Sequence, residues 1–243
     1  MKKIGICLPS FNESKNIVNL INDILKINNE IDICVVDDNS PDNTFGLLQN
    51  KFKNKENIHL IKREKKNGRG SAVWEGFNFL KNSGRKIEIF IEMDCDFSHS
   101  VDDLFKGIKI LSNNIDCDVL LGSRYPDGVI INWPLKRRIF SYSSNLLIRF
   151  LISKSIQDYT NGFRFYNYKA INQILKNKPM NKGFIYLTET LANFLSNDFK
   201  IMSFPIIFEN RIRGESNTNL KEIFNSLKGL FLISIKFLSK KFN

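Results

Sequence analysis

Short apolar runs that do not alternate with polar residues set the strongest limit on this chain. Ile4–Leu8, Ile33–Val36, Ile58–Ile61, Ile87–Met93 and Val119–Gly122 each have the length of a strand, and each holds consecutive apolar residues, Ile89-Phe90-Ile91 in the fourth, in place of strict alternation. Such strands are buried on both sides, which is the pattern of a parallel sheet covered by helices. Helical periodicity fills the intervals. Ile17, Leu20, Ile21, Ile24 and Leu25 recur at helical spacing, with Ser14 as the expected N-cap. Further helices are predicted over 44–52, 71–80 and 102–111. Ligands of such sheets bind where the strands end at their carboxyl side. The second run ends in "DDNSPDNT" and the fourth in "DCDFSHS", so both acidic stretches are expected on one rim.

The 243 residues suit one domain or a domain with a small appendage. Lys and Arg outnumber Asp and Glu by 36 to 25, a net charge of +11 that favours anionic partners such as phosphorylated substrates, anionic lipid or nucleic acid. A chain that is merely basic throughout is the plain alternative. Pro9, Asn12 and Glu13 interrupt the first apolar run too early for a signal peptide. No uncharged apolar run reaches the roughly eighteen residues of a spanning helix. The cysteines Cys7, Cys34, Cys95 and Cys117 have no metal-like spacing and are expected as free, mostly buried thiols in a reducing compartment.

Two aspartates at positions i and i+2 leaving a strand are expected on one side of the chain. Asp94 and Asp96 would repel each other unless a cation lay between them, and a hard divalent ion such as Mg²⁺ or Mn²⁺ takes oxygen ligands of this kind together with substrate phosphates. Alone, a short acidic motif is weak; a solvated turn is its common form. Dinucleotide-binding folds are set aside because the first strand is followed by "LPSFNES", which has no glycine, and no Walker A motif is present.

Eight stretches then occur in order: "LPSFNE" (8–13), "VVDDNSPDNT" (35–44), "KKNGRGSAVWEG" (65–76), "MDCDFSH" (93–99), "GSRY" (122–125), "WPLKRRIFSYSSN" (133–145), "NGFRFY" (161–166) and "RIRGESN" (211–217). Together they resemble the family-2 glycosyltransferases of GT-A fold, and within them the dolichyl- and polyprenyl-phosphate mannosyltransferases. The resemblance implies an α/β, Rossmann-like sandwich with a mostly parallel central sheet flanked by helices. It implies a catalytic domain over 1–218; residues 219–243 are expected, from their own pattern, as an amphipathic C-terminal helix. It also implies inverting transfer of a hexose, mannose from GDP-mannose preferred, to a polyprenyl phosphate. UDP-glucose or another sugar nucleotide, or a carbohydrate acceptor, is the alternative.

Carried over by position, Pro9, Phe11 and Glu13 match the first nucleotide loop, with Phe11 where the family usually has tyrosine. Val36 and Asp38 match residues that cradle the base and ribose. Asp94, Cys95 and Asp96 match the DxD that holds Mg²⁺ or Mn²⁺ and the donor diphosphate, and Ser98 stands where some relatives have a further metal ligand. Arg124 and Arg211 match arginines near phosphates. Arg137 and Ser141 match the pair beside the acceptor phosphate, although a solvated basic helix start would look the same. The last motif departs from the family: Asn217 replaces the usual lysine, which would touch the donor diphosphate, and Arg213 or Lys221 is the candidate replacement charge. Asp96, Arg124, Arg137 and Ser141 are the expected catalytic group.

The acceptor decides the chemistry. A sugar hydroxyl would require a general base. A phosphate monoester is already largely ionised at neutral pH, its second pKa being about 6, so no dedicated base is expected. Elsewhere, His99 is expected in a turn, His59 as structural, Glu189 as a partly buried helix residue with a basic partner, and Phe163, Phe165 and Tyr166 in the core. Asp158 is expected to shape the turn before "NGFRFY".

From Leu220 onward an apolar stripe (Leu220, Ile223, Phe224, Leu227, Leu230, Phe231, Leu238) faces away from Lys221, Lys228, Lys236 and Lys240. This is the pattern of an interfacial helix, which residues 134–152 would join; docking on the core is the alternative. The expectation is a peripheral protein on the cytoplasmic face of a membrane, with a small membrane-protein partner as a further possibility. A nucleic-acid-binding module is set aside because it leaves both acidic motifs unexplained and no RNA-binding aromatic motif is present.

Overall fold

The computed structural model describes residues 2–181, 183–210 and 220–239, with the side chains of the last segment from residue 225 onward. A central sheet forms from β1 (Ile4–Ser10), β2 (Asp32–Asp37), β3 (Ile58–Lys62), β4 (Ile89–Glu92), β5 (Val119–Ser123), β7 (Arg164–Asn167) and β8 (Ile201–Pro205), in the order β3-β2-β1-β4-β7-β5-β8. β7 runs antiparallel to both β4 and β5, and the other pairings are parallel. Two short strands, β6 (Val129–Ile131) and β9 (Ile207–Glu209), pair separately.

The lack of alternation in the strands has the expected cause. Ile6 and Leu8 of β1, with Ile89 and Ile91 of β4, face one core, which α1 (Ile17–Ile27), α2 (Thr44–Phe52) and α4 (Val101–Asn113) cover. Cys7 and Phe90 point the opposite way. That second core is covered by α3 (Arg69–Asn82), α6 (Tyr168–Lys176) and α7 (Tyr186–Ser196), with Ile148 of α5 (Leu135–Leu151) at its margin. Phe163, Phe165 and Tyr166 are fully buried, as the sequence suggests, and His59 hydrogen-bonds Asp32 beneath the Phe79 ring. All four cysteines are free and buried.

Several local expectations are corrected. Asn16, not Ser14, precedes α1, and the Ser14 amide donates to Asp42 instead. An Asx-type carboxylate thus holds the loop that the N-cap was expected to hold. At α4 the cap is conventional: the Ser100 hydroxyl accepts from the Asp103 amide. β4 stops at Glu92, so Asp94 and Asp96 lie in the following loop, where Phe97 takes a left-handed φ of 62°. Strand alternation therefore does not orient the two aspartates. Glu189 is buried, as expected, and accepts from the amides of Met180 and Asn181 and from the Asn181 side chain; these are its hydrogen-bond partners among the described residues.

The last helix, α8 (Leu220–Leu238), packs on α7 through Leu230 and Ile233. Leu227, Phe231, Ile235 and Leu238 remain exposed on it. Among the described residues no helix is long and apolar enough to cross a membrane.

Candidate active site

Parallel register brings the carboxyl ends of β1, β2 and β4 to one rim: Ser10 lies beside Asp37, and Cys7 beside Glu92. A cavity of about 310 Å³ opens there. Pro9, Phe11, Glu13, Asp38, Asp94, Cys95 and Asp96 all line it; of the other expected donor-side residues, Val36 and Arg124 do not, and Arg211 and Asn217 lie outside the described residues. Val36 is fully buried in the core behind α3.

Each carboxylate has a defined support. Asp38 accepts from Arg63 Nη1 at 2.7 Å and from the amides of Asn67 and Gly68, which fastens the 63–68 loop to the rim. That loop carries Lys66, whose ammonium lies 3.7 Å from the centre of the Phe11 ring at the mouth of the cavity. Asp96 accepts from the Ser98 amide at 3.0 Å and from the Ser98 hydroxyl. Ser98, expected as a metal ligand, thus steadies Asp96 with its hydroxyl proton. The Cys95 thiol reaches the Pro9 carbonyl, and burial raises its pKa well above the usual thiol value.

Asp94 is held from two sides by residues with no expected role there. Its amide donates to His99 Nδ1 at 3.2 Å; His99 Nε2 meets Asn161 Oδ1 at 2.9 Å, and Asn161 donates onward to the Gly122 carbonyl. An imidazole that accepts at Nδ1 carries its proton on Nε2. Burial, with the ring stacked on Phe163, lowers the His99 pKa and favours this neutral form. His99 is therefore a buried support and not simply a turn residue. On the other side, Arg69 Nε donates to Asp94 Oδ1 at 3.1 Å, while Nη1 donates to buried Glu92 at 2.7 Å. Burial opposes its charge, but the oxygens of Tyr186, Asp94 and Glu92 more than offset this and raise the Arg69 pKa. The sequence holds a signal for neither residue beyond their position inside the quoted motifs.

Asp94 and Asp96 offer carboxylate oxygens to one cavity, on a loop already braced by hydrogen bonds. This donor set suits a hard divalent cation such as Mg²⁺ or Mn²⁺.

The expected acceptor residues gather elsewhere, around Trp133. The Arg137 guanidinium stacks 4.0 Å from the Trp133 ring centre and donates to Asn210, and the Tyr125 hydroxyl donates to Ser141. Arg124 is committed differently from expectation. It is buried, with Nε and Nη2 each 2.8 Å from an Asp158 oxygen, and Nη2 also reaches Thr160. Asp158 in turn caps the amides of Thr160 and Asn161, so it shapes the expected turn as well. Arg211 and Asn217, with the alternative charge Arg213, lie outside the described residues, as does the side chain of Lys221.

Residues 5–175 match the Glycosyl transferase family 2 domain model. The chain belongs to that family and is a glycosyltransferase. It is 29% identical over 222 residues to polyprenol monophosphomannose synthase of Mycolicibacterium smegmatis, covering 89% of this chain and 82% of that one. It is 28% identical to undecaprenyl-phosphate mannosyltransferase of Micrococcus luteus, over 86% of this chain and 84% of that one. A dolichol-phosphate mannosyltransferase of Pyrococcus furiosus is 32% identical over 94% of this chain, which spans only 63% of that longer protein. Glucosyl-3-phosphoglycerate synthase of Mycobacterium tuberculosis, solved with Mn²⁺, UDP and phosphoglyceric acid, superposes with a TM-score of 0.69 at 16% identity, over 97% of this chain and 78% of that one. The same enzyme has also been solved with Mg²⁺. This last likeness shows the fold, which is the expected GT-A sandwich.

The Arg124–Asp158 pair makes a pH-dependent prediction. Burial alone would raise the Asp158 pKa, but Arg124 and the surrounding donors leave it below the ordinary value. Its stabilising contribution is therefore complete above the unfolded carboxylate pKa of about 3.9 and is lost as pH falls through the lower folded value. Asp158→Asn, which leaves Arg124 buried without its counter-ion, is expected to cost about 3–5 kcal/mol at neutral pH. Urea unfolding should give that difference at pH 7 and a smaller one at pH 3.

Proposed function

We propose that the protein transfers mannose from GDP-mannose to the phosphate of a polyprenyl phosphate, with inversion, giving a β-linked glycolipid. The observation that carries this reading is the cavity at the carboxyl rim of the sheet, which gathers both aspartates of the DxD with the nucleotide-loop residues. The family membership and the named activities of the mannosyltransferase relatives support the choice of sugar and acceptor.

In this reading Asp94 and Asp96 hold the divalent cation, which when bound neutralises charge on the donor diphosphate as it leaves. Phe11 packs against the nucleoside, with Pro9, Glu13 and Asp38 completing that end, and Lys66 adds positive charge at the mouth. Arg211 would lie near the diphosphate, and Asn217 would offer a hydrogen bond where relatives have a charge. The attacking phosphate oxygen is already ionised, so the protein needs to orient it and offset its charge. Arg137, fixed flat on Trp133, presents a fork that matches phosphate oxygens. Ser141 lies one helical turn further along α5 and can donate beside it. Arg124 acts through Asp158 to hold the 158–161 turn and is a positioning group in this scheme.

A polyisoprenoid acceptor requires a membrane surface. α5 exposes Leu135, Ile139, Tyr142, Leu146 and Phe150, the last at 79% of its surface, along one stripe flanked by Lys136 and Arg138. α8 exposes a second stripe that ends in Leu238 at 78%. We assign these faces to the headgroup–acyl boundary on the cytoplasmic side, with 1–218 as the catalytic domain and the segment 219–243, which carries α8, as the interfacial part. The free, buried thiols agree with a reducing compartment.

The chemical test is transfer by purified protein in detergent, with Mg²⁺ or Mn²⁺, a short-chain polyprenyl phosphate, and GDP-mannose or UDP-glucose offered separately. Metal-dependent glycolipid from GDP-mannose is expected, with activity lowered at least about 100-fold in Asp96→Ala. Product from UDP-glucose alone would correct the donor, and no lipid product with either donor would refute the acceptor. For the surface, the protein should float with vesicles rich in anionic lipid, and Phe150→Glu combined with Phe231→Glu should abolish flotation. Flotation that survives both changes would move the contact elsewhere or to a membrane-protein partner.

A further inference from the structure

Arg69 sits at a junction that the donor chemistry above does not use. Its Nε donates to Asp94 at 3.1 Å, Nη1 to Glu92 at 2.7 Å and to the Tyr186 hydroxyl, and Nη2 to the Gly162 carbonyl at 3.1 Å. Four of its five N–H groups are engaged in these bonds, so most of its hydrogen-bonding capacity goes to holding the protein itself. Glu92 is fully buried and accepts in addition from the hydroxyls of Tyr166, at 2.6 Å, and Tyr186. Asp94, by contrast, is nearly one-third exposed, at 31% of its side chain, on a loop beyond the strand. The guanidinium therefore joins a fixed carboxylate in the core to a partly exposed one in the cavity.

The surroundings are built around this group. A β-carbon on residue 162 would come within 2.4 Å of Arg69 Nη2, so glycine there makes room for the guanidinium. A β-carbon on residue 70 would come within 2.5 Å of the Tyr186 ring, so glycine there lets the start of α3 close on Tyr186. Tyr186 lies just after Gly183 and Phe184, which line the same cavity as the two aspartates.

We propose that Arg69 is a positioning residue for the metal–diphosphate site: anchored on Glu92, Tyr186 and Gly162, it fixes the Asp94 carboxylate in the orientation that a divalent cation bound with a nucleoside diphosphate requires. Its charge also has a place. Glu92, Asp94 and Asp96 with Arg69 carry a formal net charge of −2, which one divalent cation neutralises. Without Arg69 the same cluster would carry −3. A residue that orients a ligating carboxylate through a hydrogen bond commonly changes metal affinity by about 10- to 100-fold.

This inference rests on the reading of the cavity as a sugar-nucleotide site, and the test separates the two. GDP and UDP binding would be measured by titration calorimetry, with Mn²⁺ and with EDTA, on wild type, Arg69→Met, Arg69→Lys and the double variant Arg69→Met/Glu92→Gln. The double variant keeps the formal charge of the cluster and leaves no unpaired buried ion, so it isolates orientation from electrostatics; thermal unfolding would verify that each variant is folded. In wild type, Mn²⁺ should strengthen binding of at least one nucleotide. That enhancement should fall about 10- to 100-fold in Arg69→Met and in the double variant, with affinity in EDTA little changed and part of the loss recovered in Arg69→Lys. An unchanged or larger enhancement in the folded double variant would overturn the positioning role while the nucleotide site stands. No metal-dependent binding of either nucleotide to wild type would overturn both.

Discussion

A fully buried carboxylate, Glu92, lies at the carboxyl end of the strand that occupies the middle of the sheet. Such a group is costly unless hydrogen bonds and an opposite charge surround it. Here the partners come from three separate elements: Tyr166 from β7, Tyr186 from α7 and Arg69 from α3. Satisfying one carboxylate therefore fixes how α3 and α7 close over the sheet and explains why β7 must be the neighbour of β4. The rim cavity opens beside this cluster and is lined by Arg69.

The same economy links the two halves of the site. The first half, through the loop after β4, supplies most of the rim-cavity lining, and the chain beyond β5 supplies the residues around Trp133. The 158–162 turn stands between them. Asp158 holds it from the Arg124 side, and Asn161 and Gly162 hold the DxD loop through His99 and Arg69. A turn with so many buried polar partners is stiff, because each broken bond would leave an unsatisfied group in a low-dielectric interior. The rim cavity and the residues around Trp133 are thereby kept in one frame, which suits the proposed reaction, whose chief demand is to orient two anions.

Much of this was legible in the residue order. Apolar runs fixed the two-sided sheet, and the ordered motifs pointed to the rim where Pro9, Phe11, Glu13, Asp38, Asp94 and Asp96 meet. What escaped has physical reasons. β7, the four-residue "RFYN", is too short for periodicity to announce, and its antiparallel insertion depends on pairing with β4 and β5, which lie far off in sequence. Arg69 opens a helix, where an arginine is ordinarily a solvated residue; only the approach of Glu92 and Gly162 turns it inward. His99 lies in a polar stretch typical of turns, and its burial comes from stacking on Phe163, more than sixty residues away. Arg124 was expected at a phosphate because an arginine's charge is visible in sequence and its counter-ion, Asp158, is not identifiable there. Val36 was assigned to the nucleoside, but the β2 register turns its side chain into the core.

The most direct measurement of the central claim is a crystal structure of the protein with GDP and Mn²⁺. The account predicts guanosine at the Phe11 and Asp38 end of the rim cavity, the metal on Asp94 and Asp96, and the diphosphate between it and Lys66. GDP bound at another surface, or lying in this cavity with its diphosphate turned away from the two aspartates, would contradict it.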